Sequence, residues 1–391
     1  MNRRELLLSA AAGSVLMATP GAAAGVQRPL RVRRPGAYVQ DLPTPHPITS
    51  RPTGTALFIG EFGGRLRTGA TAYCSNRTAP AGFANAQPLI EQFFDQGGES
   101  LVLVQAASPG GAPTDYAGAL ARLDRPDAPD FNLLLLSGAG ERLAANPAAL
   151  GALYRSAAAT ARNHYAQLLI EAPDAAPDYG LWRASLGLDD PDMAAWAPWL
   201  RTARGNLVPP GAAIAGLIAR SDRNDGVWKA PAGVNATLDG VSSRAIAPDQ
   251  LQAMNLAHIN AIRPLNGATT VWGSRTLSDD LRWRYLPVRR LMRWTEASLT
   301  QSLAWTAFEA NEPALWQAVV RDISDWLNGI WRRGALAGAT PSQAFFVKCG
   351  LGETMTALDI LENRMIIEIG MAAVRPAEFI ILRLEPDIAA N

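Results

Sequence analysis

Residues Phe131–Leu143 read FNLLLLSGAGERL: four leucines in a row, then Ser-Gly-Ala-Gly. An apolar run this short, stopped by glycine, is the pattern of a strand buried on both faces. Double burial is the habit of parallel strands covered by helices above and below. The flanking sequence repeats the pattern. TALFIG (Thr55–Gly60), Leu101–Val104 within PLIEQFFDQGGESLVLVQ, and AQLLIEAP (Ala166–Pro173) are further apolar runs of strand length. Between them, Leu89, Ile90, Phe93 and Phe94 mark a helical face ended by Gly97-Gly98, and an Ala-rich helix is expected over 148–165. Strands alternating with helices predict an α/β layer with mainly parallel strands. The proline-studded passage 174–210 reads as a break in that pattern.

The same stretch is the best enzyme-like motif in the chain. Gly138-Ala139-Gly140 after a strand is the start of a dinucleotide fingerprint, in which glycines let the backbone approach a pyrophosphate. The third glycine position is Leu143, and no well-placed acid follows about 20 residues later. An ordinary strand-to-helix turn explains it better. Neither GxxxxGK[ST] nor GxSxG occurs, and Ser137 has no flanking pattern that would expose it as a nucleophile. Asp222, Asp225 and Asp239 flank Lys229 in a stretch crowded with Asn and Gly, where turn formation and capping are the default roles. His46, His164 and His258 are isolated, and Cys74 and Cys349 are far apart with no CxxC spacing. These residues predict no catalytic group, cofactor or metal, and leave a single disulfide open.

Composition agrees with a folded protein of two or three domains: 391 residues, 48% hydrophobic and 18% charged. A net charge of +1 gives no global field for gathering nucleic acid. All but two of the 36 basic residues are arginine, the exceptions being Lys229 and Lys348, so the surface is rich in bidentate donors suited to protein interfaces. Tryptophans 294, 305, 316, 326 and 331 fall in or beside helices, where packing is the expected role. The first 27 residues carry Arg3-Arg4, an apolar run over 6–18 and Ala22-Ala23-Ala24, the features of an export signal of twin-arginine type.

In the second half, Val288, Leu291, Met292, Leu299 and Leu303 share one face of a long helix. The next helix has Asn311 as its expected cap, Pro313 in its first turn and Gly334 at its end, with a stripe of Leu315, Val319, Ile323, Trp326, Leu327 and Ile330. RMIIEIGMAAV and AEFIILRL are two closing strands. Near the start, RVRRPGAYVQDLP (Arg31–Pro43) holds a brief strand bounded by prolines, with no hairpin partner nearby.

Several of these blocks resemble the contractile tail sheath family of bacteriophages and related injection particles. They are DGVWKAPAG (Asp225–Gly233), NLAHINAIRP (Asn255–Pro264), VWGSRTL (Val271–Leu277), the long block Tyr285–Trp316, GALAGATPSQAFFVKC (Gly334–Cys349) and IEIGMAAVRPAEFIILRL (Ile367–Leu384). Their order and spacing match the family's C-terminal sheath domain over Ala212–Leu384. PGAYVQDL, ALFIGEF, LIEQFFDQGGESLVLV and FNLLLLSG extend the likeness more weakly from about Pro35 onward.

The resemblance implies a mixed α/β structural subunit, not an enzyme. Its expected layout is an extension over 1–27, an arm and first core strand over 28–60, an inserted outer α/β domain over 61–210, and the sheath core with its C-terminal arm over 211–391. Gly36, Ala37, Tyr38, Val39, Gln40 and Asp41 match the donated N-terminal arm. Phe379, Ile380, Ile381, Leu382, Arg383 and Leu384 match the strand region adjoining the C-terminal arm. Expected partners are further copies of the chain, an inner tube protein, and baseplate and terminator or cap proteins, with no nucleic acid, membrane or cofactor. Assembly in the cytoplasm is the expectation, with export by the N-terminal signal as the alternative. Two rival functions stand beside it: a secreted α/β hydrolase-like enzyme, and an exported sheath-fold protein that does not contract.

Overall fold

The FNLLLLSG stretch forms a strand at the middle of a nine-stranded sheet. The computed structural model describes residues 45–106, 115–174, 176, 178–374 and 379–384. The first strands are β1 (Thr55–Gly60), β2 (Thr71–Cys74), β3 (Ser100–Gln105), β4 (Leu133–Leu136), β5 (Gln167–Glu171) and β6 (Met193–Ala197). Then come β7 (Leu200–Thr202), β8 (Leu207–Val208), β9 (Thr237–Leu238), β10 (Val241–Ser242), β11 (Ile259–Leu265) and β12 (Ala268–Trp272). The large sheet has the order β2-β3-β1-β4-β5-β6-β11-β12-β9. From β3 to β11 every neighbouring pair is parallel, while β2, β12 and β9 close the two ends antiparallel.

Helices cover both faces, as the double burial of β4 requires. They are α1 (Gln87–Asp95), α2 (Tyr116–Ala121), α3 (Ala139–Arg142), α4 (Pro147–Asn163), α5 (Tyr179–Leu186), α6 (Gly211–Asp225) and α7 (Pro248–Leu256). The leucines of β4 alternate between the two layers. Leu134 and Leu136 join Leu150, Tyr154 and Ala157 of α4, whereas Leu133 and Leu135 join Phe93 of α1 and Ile214 of α6. Helices α1 and α6 approach closely at Gly216, where a Cβ would sit 2.2 Å from the carbonyl oxygen of Phe93. Only glycine fits there.

Three sequence expectations need correction here. Residues 174–210 do not interrupt the layer: Met193–Ala197 (MAAWA) is β6, fully buried between β5 and β11. Its alanines carry too little hydrophobicity to stand out in a sequence scan, yet they fit a strand pressed between helices. The sheet also runs across the 210/211 position, because β9, β11 and β12 belong to it. Strand β1, expected beside the C-terminal core, pairs instead with β3 and β4 at the centre of this sheet.

The rest of the chain forms a second cluster around α8 (Leu286–Ser302) and α9 (Pro313–Arg332), followed by α10 (Pro341–Ala344), β13 (Phe345–Lys348), α11 (Ala357–Leu361), β14 (Ile367–Ala372) and β15 (Phe379–Leu384). The expected faces hold: Val288, Leu291, Met292 and Leu299 of α8 meet Leu315, Val319, Ile323 and Leu327 of α9 in one buried core. Gly334 ends α9 at φ 86°, and the amides of Gly334 and Ala335 bond back to Trp331 and Ile330. Asn311 is not the cap. Glu312 holds that position without a side-chain bond, and Asn311 Oδ1 accepts from Trp316 Nε1 at 2.7 Å while its amide donates to Arg364 O at 3.1 Å.

Candidate assembly interface

Strands β13, β14 and β15 make a separate three-stranded antiparallel sheet in that order. Ile367, Ile369 and Met371 of β14 point into the α8–α9 core and are fully buried, which fixes the sheet's register. Phe379–Leu384, the strand expected to serve neighbouring subunits, is β15. It pairs along its whole length with β14 of the same chain, from Ile367↔Leu384 to Ala372↔Phe379. Among the described residues no strand pairs with its other side. Alternate residues of this six-residue strand therefore turn their backbone donors and acceptors to a free edge, the arrangement that accepts an added strand. The expected donor, Gly36–Asp41, lies outside the described residues.

Behind that sheet, the chain enters the fold along α8 and α9. The His46 amide donates to Asp322 Oδ2 at 2.9 Å, and the His46 ring stacks on Trp305 at 3.9 Å. The Thr49 amide donates to Ser302 Oγ at 2.9 Å, and Trp326 Nε1 donates to Ser50 Oγ at 3.0 Å. The Arg51 amide donates to Ser298 Oγ at 3.0 Å, while Trp294 Nε1 donates to Arg51 O at 2.8 Å. Residues 46–51 thus run antiparallel to α8, held by side chains of both helices rather than by a sheet. Their polar backbone groups find partners that a strand would otherwise supply.

Arginines in the first turns of α8 fasten it to the nine-stranded layer. Arg290 grips Asp222 of α6 in a bidentate pair of 2.7 and 2.6 Å, with both side chains at least 95% buried. Asp192, fully buried just before β6, accepts from Arg289 at 2.7 Å, Arg293 at 3.1 Å and Arg162 at 2.8 Å. Burial opposes its charge, but the arginine hydrogen bonds outweigh that and hold the carboxyl well below its ordinary range. Arg290 is 68 residues from Asp222, and Arg162, Arg289 and Arg293 are 30, 97 and 101 from Asp192, so no local motif announces these pairs.

The groups singled out as candidate chemistry do not come together. Asp222 is engaged with Arg290, and Asp239 lies 3.8 Å from Arg220, so the three aspartates do not converge on Lys229. Gly138, at φ 74°, turns β4 into the four-residue α3. Around that turn Arg142 pairs with Glu61, and the Tyr116 hydroxyl donates to Ser137 O at 2.6 Å. Beneath it the Glu171 carboxylate is buried, accepting the Gly211 amide at 3.1 Å, and burial pushes its pKa up to about 8. Cys74 and Cys349 are both free and buried; burial raises their thiols to about 11 and about 12, which keeps them unreactive. No cluster of metal-ligating side chains occurs among the described residues. Nor is any described helix long and apolar enough to cross a membrane.

A subunit whose buried ion pairs brace one helix, and whose C-terminal sheet stops at a strand with no described partner on its outer edge, has the design of a building block. The family model for the phage tail sheath C-terminal domain matches residues 278–385. A putative prophage major tail sheath protein of Pseudomonas aeruginosa (strain UCBPP-PA14) is 24% identical over 196 residues, and that match spans about half of its length. The helical sheath of the anti-feeding prophage in its contracted state is 31% identical, with TM-score 0.71 over 90% of this chain and 98% of that one. The contracted PVC sheath complex of an extracellular contractile injection system is 27% identical, with TM-score 0.71 over 91% and 98% of the two chains. The chain belongs to this family of contractile sheath proteins. The family is a structural one, and neither the hydrolase nor the non-contracting alternative is supported by these relatives.

Proposed function

We propose that this protein polymerises into a helical sheath around an inner tube of a phage-like particle. The sheath contracts by repacking its subunits, driving the tube through a target envelope. The observation that carries this reading is the unpaired edge of β15 in a chain similar throughout to contracted sheath subunits. Gly36–Asp41 of one copy serves as the strand added to the β13–β14–β15 sheet of another, so backbone hydrogen bonds link subunits while their bodies reorient. Contraction then releases the difference in subunit contacts between two lattices, summed along the tube. Tube, baseplate and terminator or cap proteins are the partners in this scheme, and assembly takes place in the cytoplasm. It requires no enzymatic step.

Negative-stain microscopy of the purified chain tests this reading. Striated hollow tubes are expected, and a preparation holding only monomers across a wide concentration range overturns it.

A further inference from the structure

The helix pair α8–α9 carries unlike surfaces at its two ends. Where α7, β11 and β12 meet the start of α8, a groove of about 1070 Å3 opens, lined by Trp228, Trp272 and Tyr285. Trp272 and Tyr285 stay 44% and 37% exposed, more than rings of a finished core. Lys229 and Arg275 are the charged lining residues, and no acidic residue is among the described lining. The guanidinium groups of Arg263 and Arg333 lie 5.4 and 5.0 Å from the ring centroids of Trp272 and Trp228. None of these four cations has an ion-pair partner among the described residues.

The far end of α8 is the converse. There the turn into α9 presents Phe308, 80% exposed and the most exposed large apolar side chain among the described residues. Glu309 and Glu312 beside it are exposed, and neither carboxylate has an ion-pair partner among the described residues. Other exposed leucines sit next to acids that are already engaged. Asp359 and Glu362, beside Leu358 and Leu361, pair with Arg364, and Asp280, beside Leu281, pairs with Arg282. An exposed ring flanked by two free carboxylates complements an aromatic groove edged by free cations.

One copy cannot bring its own two surfaces together. The 17 residues of α8 hold them about 25 Å apart. The turn is also fixed in place: Thr306 is buried, and Asn311 is bonded to Trp316 and to Arg364 O. We propose that the Phe308–Glu312 turn of one copy docks in this groove of a second copy. The phenyl ring enters among Trp228, Trp272 and Tyr285, and the carboxylates face Lys229 and Arg275. Unlike patches at opposite ends of a subunit make a heterologous contact, which repeats head to tail and suits a filament rather than a closed twofold pair. The proposal rests on the sheath reading for the presence of neighbouring copies. It adds a contact between rigid side-chain surfaces to the strand addition at β15.

The test places a photo-crosslinker in the full chain, Phe308→p-benzoylphenylalanine, in an equal mixture of nitrogen-14 and nitrogen-15 protein. Microscopy of the same sample scores tubes. Cross-links joining light and heavy copies at peptides spanning residues 226–232 or 272–287 are expected. Cross-links confined to one copy, cross-links to other surfaces, or none at all overturn the proposal. Charge reversal supplies the second measurement. Glu309→Lys with Glu312→Lys is expected to cut the groove cross-links at least about tenfold, and adding Lys229→Glu with Arg275→Glu to the same chain is expected to bring them back. A yield that does not follow the charges counts against the docking, and recovery in the fully reversed chain shows that the variants still fold. Tubes without groove cross-links sink this inference alone, whereas groove cross-links between copies of a protein that never forms tubes sink the sheath reading.

Discussion

Of the three sheets among the described residues, the nine-stranded one and the β13–β14–β15 one end in opposite ways. The nine-stranded sheet tapers to β2, four residues long, and β9, two residues long, both set antiparallel to their neighbours. Short outer strands give another chain little to pair with. The three-stranded sheet ends on β15, as long as the β14 it pairs with, and its far side faces no described strand. One sheet is finished within the subunit and the other is left for completion. Stability of the first therefore belongs to the monomer, while the second exposes its function only when copies meet.

The largest expected effect separates these two roles. Removing residues up to Asp41 is expected to leave the thermal unfolding of the subunit unchanged and to abolish ordered tubes under the microscope. Tubes of normal appearance from that truncation would erase the contrast between the sheets.

Next comes the brace between the layers. Asp222→Asn leaves Arg290 buried without its counter-charge, and a loss of about 3–5 kcal/mol in denaturant unfolding is expected. A loss under about 1 kcal/mol would mean the two layers are not fastened there.

Glu171 sharpens the comparison from the other side, because it weakens the finished sheet. Its folded pKa of about 8 exceeds the ordinary 4.5, so unfolded chains release this proton across a range where folded ones keep it. Its contribution to stability is therefore fully present below about pH 4.5 and declines until the folded group ionises near 8. Glu171→Gln, which keeps an oxygen for the Gly211 amide, is expected to add on the order of 2 kcal/mol at pH 8 and nothing at pH 4. Unfolding curves at the two pH values check this, and an equal effect at both removes the titration argument.

The smallest effect is local. Ser298→Ala deletes one partner of the Arg51 amide and is expected to cost about 1 kcal/mol, with faster hydrogen exchange confined to residues near Arg51. Exchange unchanged at that amide would show that the bond contributes nothing to holding the entering segment.

Much of this architecture was legible where one signal was strong. The leucines of β4, the faces of α8 and α9, and the apolar runs of β14 and β15 each carry their periodicity openly. Strand β6 hid because alanine is a weak marker of burial, and β11 because Arg263 and Pro264 interrupt its apolar pattern. The braces at Asp192 and Asp222 were invisible for a different reason: their partners meet only after the chain has folded. Phe379–Leu384 were expected as a strand from their apolar run, and they form β15. Their pairing with β14 had to come from three dimensions.

The entry of the chain along α8 has a mechanical side. Between His46 and Arg51 the chain is tied at successive points, by backbone amides and the Ser50 hydroxyl, to residues on two helices. Traction along α8 would strain these ties together, in shear, instead of peeling them off one at a time. A rope lashed along a spar holds in the same manner, and the spar here is the helix that the arginines bolt to the body of the subunit.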